Sequence, residues 1–157
     1  MRSSTPLLAA AGLLALVGTA TAAETPKFDL VLSLSPAAFA ELTKIHEQVT
    51  ISAMYAGQPT KEAQKKKIDD EIGEVNLGSE EITRPMTSAT AKVSFTGKGF
   101  DAKRLKWVAP GTAKVLINVY SARKVNDDNL LDCGIFEDVL AVAAAQPIEI
   151  SCKLIAE

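Results

Sequence analysis

Short runs of alternating apolar and polar residues recur along this chain, and they limit what it can fold into. Over residues 148–155, Ile148, Ile150, Cys152 and Leu154 fall on one side and Glu149, Ser151 and Lys153 on the other, which is the period of a strand with one buried face. The same period runs through Phe28, Leu30, Leu32 and Leu34, and again through Val49, Ile51, Ala53 and Tyr55. It returns in Ala91, Val93 and Phe95 and in Val115, Ile117 and Val119, with shorter runs at Val75, Leu77 and Ile82. Gly78 with Ser79, residues 85–88, residues 97–99 and Pro110 with Gly111 are turn formers expected to separate these strands.

Helical signals are few. Ser35 can cap a helix that Pro36 opens, and Phe39, Leu42 and Ile45 recur at a spacing of three. The charged stretch 61–71 reads as an exposed helix or loop, and Asp101 can cap a short turn over 102–105. Residues 130–146 read as a strand to about Glu137 followed by a helical turn or loop. Six to eight short strands without a βαβ rhythm predict a mainly β fold, an antiparallel β-sandwich with one or two short helices. The pattern resembles immunoglobulin-like sandwiches in general, without the Cys, Trp, Cys order of the true family.

The first 22 residues read as a secretory signal peptide: Arg2, an apolar run from Leu7 to Val17, then small residues with Ala20 and Ala22 two apart. Cleavage is expected after Ala22, with Ala23 as the neighbouring choice, leaving one β-rich domain from residue 23 to 157. An uncleaved anchor is disfavoured because the last third of the segment is Gly, Thr and Ala. No Cys precedes Cys133, which argues against a lipoprotein. The expected location is therefore periplasmic or secreted, with no stable membrane insertion after cleavage.

The full chain carries a formal charge of −2, and losing Arg2 makes it one unit more negative. Lys65, Lys66 and Lys67 form a basic run, but Asp69, Asp70 and Glu71 follow at once and are expected to neutralise it. Nucleic acid and anionic membranes need a clustered positive patch, so they are poor candidates as partners.

Cys133 and Cys152 are the only thiols, and in an oxidising compartment each can pair only with the other. A spacing of 19 does not suit a redox-active pair, so the bond is expected to be structural. Both sulfurs should be buried, at opposed positions of a hairpin with its midpoint between Val142 and Ala143.

The inventory disfavours most catalytic chemistries. His46 is the single histidine, no nucleophile elbow is present, and no Gly-rich phosphate loop exists. With both thiols oxidised, zinc or copper would have one imidazole and otherwise only carboxylates. The run from Asn126 to Asn129 carries calcium-type oxygens without EF-hand spacing and reads as turn chemistry. No cofactor and no metal is expected.

Aromatic and Arg residues at strand ends remain as candidate binding residues: Tyr55 with Gln58, Trp107 with Arg104, and Tyr120 with Arg123. The reading these support is an exported non-catalytic binding module, such as an inhibitor or adaptor of a periplasmic or secreted protein. The alternatives are a carboxylate-based hydrolase of an extracellular polymer, which needs two acids converging in one cleft, and a small-ligand carrier, which needs a large apolar cavity.

Overall fold

Eight strands form two four-stranded sheets in a computed structural model that describes residues 25–157; the expected signal segment and its cleavage bond lie outside the described residues. One sheet has the order β4-β1-β8-β6, from β1 (Phe28–Leu34), β4 (Thr90–Phe95), β6 (Leu131–Cys133) and β8 (Ile148–Leu154). The other has the order β3-β2-β5-β7, from β2 (Val49–Gly57), β3 (Val75–Arg84), β5 (Lys114–Ser121) and β7 (Phe136–Val139). The alternation carries through to burial: Phe28, Leu30, Leu32 and Leu34 are buried in β1, and Ile148, Ile150 and Cys152 in β8. These faces and those of Ile51, Ala53, Tyr55, Val115 and Ile117 meet in one hydrophobic cluster. Each fully buried aliphatic side chain there contributes roughly 1.5–3 kcal/mol.

The expectation of purely antiparallel sheets needs a correction. β1 and β8 pair in parallel, with Leu30 beside Ile148 and Leu34 beside Cys152, whereas every other pair is antiparallel. Almost the whole described chain separates these two strands, so no tight turn dictates their direction.

Gly78 and Ser79 do not end a strand either. They lie inside β3, where the register against β2 shifts between Tyr55 and Ala56. Gly78 has φ +102°, and its N–H donates to Asn76 Oδ1 at 2.6 Å. A turn former here bends a continuous strand.

Three α-helices rather than one or two accompany the sheets. α1 (Pro36–Ile45) opens on Ser35, whose Oγ accepts the Ala38 N–H at 3.1 Å. α2 (Lys61–Lys65) is capped by Thr60, and α3 is Leu140–Ala145. A 3-10 segment, Ala102–Trp107, starts at Asp101 as the capping pattern predicts. Segment 130–146 resolves into β6, a break at Gly134 and Ile135, β7 and α3. Because β6 and β7 belong to different sheets, the chain between the cysteines crosses to the second sheet and returns, so it is not a simple hairpin.

Cys133 and Cys152 nevertheless sit directly opposite each other in the β6–β8 register and form a disulfide with Cα atoms 4.1 Å apart. Cys152 is buried as expected, whereas Cys133, on the short edge strand, is only half-buried. The bond lies within one sheet, unlike the inter-sheet bridge of antibody domains.

Candidate functional site

The six candidate binding residues do not converge on one surface. β5 runs antiparallel to β2, so its start lies beside the end of β2 and its end beside the start. Gln58, Arg104 and Trp107 gather at the first of these ends and Tyr120 and Arg123 at the second. At about 3.4 Å per residue the two ends are roughly 24 Å apart.

At the first end β2 is laced onto the 3-10 segment. The Gln58 carbonyl accepts the Ala109 N–H at 2.7 Å, and the Trp107 carbonyl accepts the Thr60 N–H at 2.8 Å. Trp107 is half-buried, with the Lys66 and Lys106 ammonium groups 4.8 and 5.0 Å from its ring centre, within cation–π range. Arg104 Nη2 donates to the Ile68 carbonyl at 3.5 Å, and its Nε is buried without a partner. Gln58 is exposed beside them.

At the second end the loop between β5 and β6 is tied down twice. Glu47, just after α1, is 3% exposed. Its carboxylate accepts the backbone N–H groups of Gln48, Lys124, Val125 and Asn126, at 2.8, 3.1, 2.9 and 3.2 Å. Burial by itself pushes the Glu47 carboxyl up, but the N–H donors of Val125, Gln48, Asn126 and Lys124 outweigh it and hold the group below the usual carboxylate value. On the other side, Asn129 Oδ1 accepts from the Ser121 N–H, the Ser121 hydroxyl and the Leu131 N–H, at 2.9, 3.2 and 3.1 Å. Arg123, between these anchors, takes φ 55°, a left-handed conformation that costs a non-glycine residue about 1 kcal/mol.

The loop displays Arg123, Lys124 and Val125 to solvent, with Val125 59% exposed. Beside it the Tyr120 hydroxyl donates to Glu81 at 3.1 Å, and burial, then that carboxylate, raises its pKa. Glu47, Asn129 and Ser121 were not candidates from sequence. The candidates Tyr120 and Arg123 and the turn-forming run 126–129 pointed to this loop, but not to its anchors.

Tyr55 presents no surface. Its ring is 1% exposed and packs edge-on against Phe100 at 5.4 Å, with its hydroxyl 3.5 Å from Glu80. Burial first and the Glu80 charge second raise its pKa. Its place is in the core.

A groove of about 480 Å³ lies on the outer face of the second sheet, between Met54, Leu116 and Ile72. Glu74 and Glu137, from different segments, converge there on Lys114, whose Nζ contacts both and lies 2.6 Å from Glu74 Oε1. Hydrogen bonding to Glu137, then to Glu74, raises the lysine pKa. A hydrolase needs its scissile bond between two such acids, and here the Lys114 ammonium bridges them. Among the described residues no cluster of three or more His, Cys, Asp or Glu could hold a metal ion, and no helix is long and apolar enough to cross a membrane.

Set beside known proteins, the chain matches no family model, no curated protein and no solved structure.

Proposed function

We propose that this protein is an exported, non-catalytic binding module, an inhibitor or adaptor that engages a periplasmic or secreted protein through the loop 122–129. The observation that carries this reading is the use of Glu47. A buried carboxylate is expensive to desolvate, and here it serves to hold the backbone of 124–126 while the side chains above it stay in solvent. Fixing a loop before a partner arrives removes ordering entropy from the binding step, and loops on a rigid scaffold are where recognition residues concentrate. Tyr120 and Arg123 supply the aromatic and guanidinium contacts favoured at interface centres, and Val125 adds exposed apolar area beside them.

The disulfide supports an oxidising location. One core shared by side chains of both sheets supports the finer architectural reading, a β-sandwich that is immunoglobulin-like in the general sense.

The test is capture from periplasmic extract by immobilised wild-type protein beside the Val125→Asp and Arg123→Glu variants. A saturable protein partner retained by wild type and lost by both variants is the expected result. Finding none, or one indifferent to both substitutions, refutes the reading.

A further inference from the structure

The structure assembles a basic corner that neither contributing segment forms alone. Residues 60–68 and 102–108 hold seven of the chain's 17 Lys and Arg and one of its 19 Asp and Glu, with Asp69, Asp70, Glu71 and Asp101 flanking them, so the corner keeps a net excess of about two positive charges. The fold packs the two against each other. Thr60 bonds to Trp107, Arg104 to Ile68, and Lys66 and Lys106 share the Trp107 ring.

The acids that follow the lysine run form no ion pair with it among the described residues. Lys66 pairs with Glu62 at 2.8 Å, and it is the only one of these cations in an ion pair among the described residues. Asp70 instead turns to its own backbone, accepting the N–H groups of Ile72 and Glu74 at 3.1 and 2.9 Å, and lines the groove on the sheet.

We infer that this corner is a second contact surface, distinct from the loop 122–129, and that it receives a short carboxylate-rich segment of a partner protein. The argument is charge complementarity together with extent. The cations without an ion-pair partner gather in one corner of a molecule of net negative charge, so a long polyanion or a membrane plane meets repulsion beyond the corner, whereas a short acidic segment does not. Membrane insertion would also need an exposed apolar wedge, and the large exposed apolar side chains, Met54, Ile72, Val125, Ile135, Val142 and Ile155, lie outside both segments. Trp107 has lysines on its ring where a nucleobase would have to stack.

Trp107 is the single tryptophan of the chain and so reports on this corner directly. The experiment titrates the disulfide-bonded protein with a short oligoglutamate peptide at low ionic strength and follows tryptophan fluorescence. Saturable binding is expected, weakened about tenfold by the Lys65→Glu, Lys103→Glu double variant. The Lys44→Glu, Lys153→Glu double variant makes the same charge change elsewhere, and it and Val125→Asp should bind as wild type. Circular dichroism confirms that each variant is folded.

An absent signal overturns the inference, as does equal weakening by both double variants. Tighter binding of phosphatidylglycerol vesicles or of an oligonucleotide of equal charge overturns the assignment to a protein segment. Self-association of the protein alone, abolished by the corner variant, replaces the acidic partner with a second copy of the chain. Because Val125→Asp probes the loop separately, failure here leaves the loop reading standing.

Discussion

Glu47 and Val125, 78 positions apart, are joined by a 2.9 Å hydrogen bond from the Val125 backbone N–H to the Glu47 carboxylate. The contact ties the end of α1 to the loop after β5, and Lys124 and Asn126 donate to the same carboxylate. Removing the acceptor leaves several part-buried N–H groups without a partner. Glu47→Ala should therefore destabilise the protein by about 2–3 kcal/mol, with Glu47→Gln at the lower end. Urea unfolding measures the loss, and amide exchange should quicken first at residues 124–126.

The same carboxylate makes part of the stability pH-dependent. Its folded pKa is below the ordinary value, so in acid the unfolded state takes up the proton first and stability rises with pH through that window. The contribution is fully present above the unfolded value of about 4.3 and is lost as pH falls through the lower folded value. The gap in urea midpoint between wild type and Glu47→Gln should be constant near neutrality and shrink below about pH 4.

The disulfide closes a loop of 19 positions, which on chain-entropy grounds is worth about 3 kcal/mol. Cys133→Ala with Cys152→Ala should lower the thermal midpoint and loosen β6 in particular, because three residues paired with β8 are all that hold this edge strand in its ladder. Partner capture through the loop 122–129 should persist at low temperature. Mass with and without reductant, followed by thermal melting, checks this, and two free thiols in the oxidised protein would contradict it.

Gly78 and Gly99 lie where β3 meets the turn before the 3-10 segment. A Cβ on Gly99 would stand 1.6 Å from the Ser79 carbonyl oxygen, and one on Gly78 would stand 2.0 Å from the Gly99 carbonyl oxygen. Gly78 also needs its positive φ. Either substitution by Ala should destabilise by about 3 kcal/mol or more, since the obstacle is backbone and cannot rotate away. Gly134→Ala, with nothing within 4 Å, should be close to neutral in the same melting assay.

Strand and helix positions were legible wherever the signal is local. β1, β5 and β8 follow from alternation, and α1 from Ser35 and Pro36, because side-chain period and capping depend on a few neighbouring residues. The cysteine pairing was legible by elimination. The strand through Gly78 was misread because a glycine that bends a strand and one that ends it look alike until the partner strand is known.

Pairing, charge assembly and loop anchoring have no local code. That β1 lies parallel to β8, that β7 leaves the sheet of β6, and that residues 60–68 meet 102–108 all depend on which arrangement buries every apolar face at once. Glu47 is the sharpest case. In the chain it is one acid among 19, between a helix and a strand. Burial makes it significant, because a desolvated carboxylate must find donors, and folding brings three of its four backbone donors from about 77 or more positions away.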